Sequence, residues 1–164
     1  MKASAKQVER KTNAQREVEA AGVPFAFHSY DPEQGVSGID VARSLGQDPY
    51  CVFKTLVTQG KSGEHYVFMV PVACELDLKK AAAVVGEKSV QMIRARELFP
   101  LTGYVHGGCS PLGMKKRFRT FADESAALHD RIMFSGGRIG VQIELTASDL
   151  ADLADVEFAD LTAR

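Results

Sequence analysis

The sequence predicts an α+β fold: one domain over residues 1–164, with a mixed, curved β-sheet and flanking helices. Three observations carry this. The length of 164 residues suits one domain with a hydrophobic core of its own. Short β-rich runs are interleaved with short helical stretches, without the regular strand–helix beat of a doubly wound sheet. No internal repeat, low-complexity tract or linker interrupts the chain.

The elements follow in order. Residues 4–21 are polar and rich in Ala, Glu, Gln, Lys and Arg, and they predict a helix closed by Gly22. Pro24 to Tyr30 reads as a short aromatic strand, and residues 31–38 as a loop. Asp40 to Leu45 predicts a short helix. Cys51–Thr58 and His65–Val70 are two β-rich runs joined by a hairpin at Gln59–Glu64. Asp77 caps a helix over Leu78–Val85, stopped by Gly86. Ser89–Ile93 predicts a strand, and Arg94–Phe99 a helix broken by Pro100. A strand then enters a glycine-rich loop across residues 103–114. Thr120–Ala122 pairs briefly, Asp123–His129 is helical and Arg131–Phe134 is a strand. A second glycine loop, Ser135–Arg138, precedes the strand Ile139–Leu145. Thr146 and Asp149 have capping-box spacing before a helix through Ala154, and Val156–Leu161 closes the chain.

Composition narrows the function. Hydrophobic residues make up 45% and charged residues 25%, ordinary for a globular protein. The net charge of −1 leaves no global basic excess, so nucleic acid must be met by a local patch, and a DNA-binding role is not expected. Three cysteines without metal-ligand spacing, and an N-terminus without an apolar core, predict a cytoplasmic protein. No apolar run approaches the ~20 residues of a membrane span. Four histidines without HxxxH or HExxH spacing argue against zinc.

The residue that stands out is Lys54, inside the apolar run Val52–Val57. A desolvated ammonium is costly without an anionic or polar partner. It is either an edge-strand gatekeeper or a cation facing a ligand pocket. Alternation places it on the opposite face from Phe53 and Thr55. Around Gly107 and Gly108 the first glycine loop lacks the Gly-Lys-Ser/Thr of a phosphate loop. The second, with Gly136 and Gly137, is followed by a strand and is no dinucleotide fingerprint. Each is a tight turn or a ligand cradle. Lys115, Lys116 and Arg117 head a basic run that is either a solvated face or a phosphate-contacting edge. Cys51, Cys74 and Cys109 read as small buried hydrophobes.

Four blocks then occur in order: Pro24–Tyr30, Val52–Leu56, Thr102–Arg117 and Ser135–Gly140. Together they resemble the YbaK/EbsC family of aminoacyl-tRNA deacylases, whose domain also occurs as the editing insertion of bacterial prolyl-tRNA synthetases. The resemblance covers residues 14 to 162. It implies a barrel-like mixed sheet and a pocket for the 3′ CCA end of a mischarged tRNA. The implied activity is trans-editing, with Cys-tRNA(Pro) and Cys-tRNA(Cys) as substrates. Ala-tRNA(Pro) hydrolysis and a non-catalytic tRNA- or synthetase-binding module are the alternatives. By match to the family, Lys54 is the central functional residue. Tyr30, Thr55, Gly107, Gly108, Ser135 and Gly136 bind substrate, and Lys115, Lys116, Arg117 and Arg138 meet tRNA. The resemblance implies no metal and no cofactor, because the substrate's own cysteine thiol attacks its ester. It also implies prolyl-tRNA synthetase as a partner. The chain departs from the family at Ser37, Cys109, Ile139 and Gln142, all expected on the pocket wall, which leaves amino-acid specificity open.

Overall fold

The computed structural model describes residues 10–163. The first helix among the described residues, α1, spans Asn13–Ala21; the part of the expected helix before residue 10 lies outside the described residues. Thr12 sets the start. Its hydroxyl accepts the Gln15 N–H, and the Gln15 side chain accepts from Thr12 N, a reciprocal capping box. Strand β1 (Ala26–Ser29) and a short 3₁₀ turn (Pro32–Gln34) lead to α2 (Gly38–Ser44). That helix begins two residues before Asp40, because the Ser37 hydroxyl caps it through Asp40 N.

Strands β2 (Phe53–Gly60) and β3 (His65–Pro71) form the expected hairpin. Helix α3 (Leu78–Val85) has the predicted bounds, with Asp77 accepting from Lys79 N and Lys80 N and Gly86 left-handed at φ 75°. Strand β4 is Val90–Met92. Helix α4 (Ala95–Thr102) runs through Pro100 and does not break there. The Thr102 hydroxyl bonds Leu98 O at 2.8 Å, and Gly103 N–H closes on Phe99 O at 2.8 Å, so the last turn holds despite the missing proline N–H. The strand expected after Gly103 does not form. The chain turns at Gly103 and stays irregular to Phe118.

The remaining elements are β5 (Arg119–Asp123), a 3₁₀ segment (Glu124–Leu128) where an α-helix was expected, β6 (Ile132–Ser135), β7 (Val141–Leu145), α5 (Ala147–Ala154) and β8 (Glu157–Ala159). The sheet is mixed, as expected, but divided. Three strands order β1-β7-β6, and five order β4-β2-β3-β5-β8. The β3–β5 and β5–β8 pairs are parallel and the others antiparallel. One parallel bridge, Val52 to Met133, joins the two sheets, with Met133 N–H on Cys51 O at 2.9 Å.

Strand β3 is buried on both faces, so its apolar run is continuous rather than alternating. Met69 packs with Phe53, Phe134, Ile143 and Leu145 in the core that also takes Val18 of α1 and Leu150 of α5. Phe68 turns the other way and stacks on Phe121 beneath Ala81 and Ala82 of α3. A third cluster lies under the first glycine loop: Val57, Val67, Leu98, Tyr104 and Cys109. Tyr104 pins that loop by donating its hydroxyl to Leu112 O at 2.7 Å. Burial pushes Tyr104 up to about 12, and pushes the Cys109 thiol up to about 12 against a smaller opposing hydrogen bond from Thr102.

Two predictions follow from this cluster. Tyr104→Phe leaves a buried carbonyl without its donor and costs about 1–3 kcal/mol in urea unfolding. Tyr104 and Cys109 hold their protons more tightly folded than unfolded. Their contribution is therefore complete below pH 9 and is lost as pH rises toward 12. Stability falls over that window, and Cys109→Ala makes the fall shallower; an unchanged slope contradicts the assignment.

Candidate active site

The site is created by an incomplete strand pairing. Strand β4 pairs with β2 only at Thr58–Gly60. Upstream, the β2 edge opposite β3 is not covered by β4, and a cavity of about 360 Å³ opens along it. Residues Val52–Val57 form one wall. Tyr30, Ser135 and Gln142 of the three-stranded side form the second, and Met92–Ala95 with Leu98 the third. Val36–Gly38, Val41 and Val72, with His106, Gly107 and Cys109 of the first glycine loop, complete the lining.

Lys54 therefore lines a cavity, on a strand that lies inside the five-stranded sheet. The alternation expectation holds. Phe53 and Val57 join clusters on one face of β2, while Leu56, in phase with Lys54, packs toward α3 on the other. The Lys54 side chain is 26% exposed, and its Nζ is 3.4 Å from Oε1 of Glu75, whose side chain is 84% exposed. An ion pair with so wet a partner is worth about 0–1 kcal/mol. An incoming anion can therefore draw the ammonium away at little cost.

Beside Lys54 the wall holds two acceptors without partners. Thr55 Oγ1 and Gln142 Oε1 are buried and make no hydrogen bond in the structure. Gln142 is only 6% exposed. Buried polar atoms are ordinarily satisfied, and an unmet one costs about 1–3 kcal/mol. Both atoms belong to residues that line the cavity, and each lies just beneath its surface.

The two glycine loops meet at Ile139. A Cβ on Gly108 would lie 2.9 Å from Ile139 N, so the backbones touch and only glycine fits. Gly108 itself is off the cavity wall, and its N–H donates to Val105 O at 2.9 Å. Gly136 is also off the wall. Its N–H closes a turn on Val141 O at 2.8 Å, and its carbonyl accepts from Thr12 Oγ1. Of the predicted substrate-binding residues, Tyr30, Lys54, Thr55, Gly107 and Ser135 are brought together, while Gly108 and Gly136 shape the loops behind them.

The predicted tRNA-contacting cations divide. Lys115 lies over the Phe99 ring at 5.2 Å from its centroid, and Lys116 is exposed. Arg117 turns away, donating to Leu153 O at 2.9 Å at the C-terminal end of α5 and pairing with Asp155 at 3.5 Å. Arg138 donates to Arg10 O at 2.7 Å.

The cysteine expectation needs correction. Cys109 is buried on the cavity wall, but Cys51 and Cys74 are only half-buried. Burial raises both of those thiols, Asp48 adding to the effect at Cys51 and Asp123 at Cys74. With Cys109 near 12, its thiol stays protonated at neutral pH and is no thiolate nucleophile. The residue-by-residue reading did not find Leu98, Arg94 or Val41. Their only sequence signal is apolar or basic character on elements whose packing has to be known first.

Comparison with known proteins places the chain in a family. A family model described as an aminoacyl-tRNA editing domain matches residues 33–153. EbsC of Enterococcus faecalis, provisionally named a Cys-tRNA(Pro)/Cys-tRNA(Cys) deacylase, is 41% identical over 160 residues, covering 97% of this chain and 98% of its own. Among solved structures, a candidate trans-editing enzyme for prolyl-tRNA synthetase superposes with a TM-score of 0.82 at 24% identity, over 94% of this chain and 100% of that one. A second protein, of unassigned function, reaches 0.85 at 21% identity, over 93% and 100%. These two establish the fold, and the family model with the 41% relative establishes the lineage: the chain belongs to the aminoacyl-tRNA editing domain family.

Proposed function

We infer that this protein, a single editing domain over residues 1–164, is a trans-editing deacylase acting on Cys-tRNA(Pro), and on Cys-tRNA(Cys) by the same chemistry. The observation that carries the reading is the cavity lined by Lys54, whose ammonium is paired with the exposed carboxylate of Glu75 and can be drawn to a ligand. The name carried by the 41% identical relative supports the choice of acyl group.

The reaction asks little of the protein beyond position. The sulfur of the esterified cysteine bonds to its own carbonyl carbon and the ester C–O bond breaks. The thiol proton ends on the 3′ oxygen, and the products are a thiolactone and free tRNA. Holding thiol and carbonyl together is where such a reaction gains most of its rate. The Lys54 ammonium anchors the terminal nucleotide, its charge meeting a phosphate. Thr55 Oγ1 and Gln142 Oε1 accept donors of the aminoacyl group, such as its ammonium. Gly107, at φ 87° on the cavity wall, brings backbone close to the carbonyl, and Tyr30 and Ser135 close the opposite side. Lys115, Lys116 and Arg138 are proposed to meet the tRNA backbone, and Arg117, engaged at the end of α5, is not. A net charge of −1 implies modest intrinsic tRNA affinity, so prolyl-tRNA synthetase is the proposed partner and the cytoplasm the proposed location.

Purified protein is expected to deacylate Cys-tRNA(Pro) in preference to Ala- and Ser-tRNA(Pro). Faster turnover of the alanyl ester points to attack by water and removes the thiol mechanism. Lys54→Ala is expected to lose at least about 100-fold in kcat/KM, as when a positioned charge is deleted, with its unfolding midpoint nearly unchanged. Replacing all three protein thiols (Cys51→Ala, Cys74→Ala, Cys109→Ala) keeps turnover well above the ~10⁴-fold or greater loss that removal of a nucleophile brings.

A further inference from the structure

The cavity is small for what it must receive. At about 360 Å³ it is at the low end of ligand pockets, enough for the aminoacylated terminal nucleotide and little more. On the reading above, the unpaired nucleotides that precede it must lie outside the mouth. Unpaired bases bind proteins by stacking on exposed aromatic rings with cations close by.

Two aromatic rings beside the cavity are exposed enough to serve: Phe99 at 54% and Tyr50 at 55%. Phe99 is on α4 one helical turn beyond Ala95, which lines the cavity, so the two share a face of the helix. Lys115 stands over its ring, and Arg94 and Arg96 are exposed on the same segment. The acidic residue on that segment, Glu97, is outnumbered by Lys115, Arg94 and Arg96. Tyr50 has the opposite company. Its N–H is held by the Asp48 carboxylate at 2.9 Å, and a phosphodiester beside it would meet that negative charge.

We propose that Phe99, with Lys115 above it and Arg94 and Arg96 alongside, is a stacking platform for the single-stranded cytidines next to the terminal nucleotide of tRNA. The platform rests on the deacylase reading for its ligand but can be tested without turnover. Lys115 cannot lie over the ring and admit a base to the same face. It therefore either swings to the phosphate or leaves the base the open face, and both keep its charge near the backbone.

The chain contains no tryptophan, so Phe99→Trp introduces a single, selectively excited tryptophan at the platform and Tyr50→Trp a matched control. The probe is a short RNA hairpin ending in single-stranded CCA, compared with the same hairpin blunt-ended. Saturable quenching of the Phe99→Trp signal by the CCA hairpin and not by the blunt one is expected, with little response from Tyr50→Trp. No quenching, equal quenching by both hairpins, or a response confined to Tyr50→Trp overturns the proposal. With charged tRNA, Phe99→Ala is expected to raise KM roughly 5- to 100-fold, the worth of one stacked base, with little change in kcat. Phe99→Tyr restores KM. Quenching without any deacylation supports the platform and counts against the deacylase reading, whereas deacylation without quenching overturns the platform alone.

Discussion

The structure turns on one unfinished strand pairing. Strand β2 gives its downstream half to β4 and leaves the upstream half beside a cavity. A longer β4 would cover Val52–Val57 and leave no room for a ligand. The single bridge between Val52 and Met133 has a related effect. It ties the two sheets together, and Tyr30, Ser135 and Gln142 line the same cavity as the upstream half of β2. A lysine in an apolar strand is tolerated here because its side chain stays partly exposed and reaches Glu75 rather than a sealed core.

The surroundings hold that opening rigid. Strand β3, buried on both faces, is the spine against which β2 is paired along its whole length. The first glycine loop, irregular from Gly103 to Phe118, is fixed by Tyr104 and by backbone contact at Gly108 and Ile139. The two unmet polar atoms, Thr55 Oγ1 and Gln142 Oε1, sit in this scaffold at residues that line the cavity. Strain or unmet polarity concentrated at one cavity is what a preorganised binding site requires.

Much of this was legible in the residues. Helix α3 has its cap, its stop and its bounds written in Asp77 and Gly86, and the β2–β3 hairpin in two β-rich runs around a turn. Lys54 was conspicuous as a charge out of place, and Gln142 and Cys109 as departures from a familiar pattern. Other features depend on packing that no local pattern reports. Pro100 argues for a broken helix, yet Thr102 and Gly103 complete the final turn. Gly108 and Gly136 look like ligand-binding glycines, yet their N–H groups are spent on turns. Arg117 belongs to a basic run, yet it serves the end of α5, a distant segment in sequence. The division of the sheet follows from where one strand pair stops, and residue types do not encode that length.

The central claim is that the cavity beside Lys54 receives the aminoacylated end of a tRNA. The most direct test is the structure of the complex with a non-cleavable mimic, adenosine carrying cysteine through a 3′ amide in place of the ester. The account predicts that the cysteinyl group lies between β2 and the Tyr30–Gln142 wall, with donors on Thr55 Oγ1 and Gln142 Oε1 and Lys54 drawn from Glu75. A ligand seated elsewhere, or one in the cavity that leaves both acceptors unmet, contradicts it.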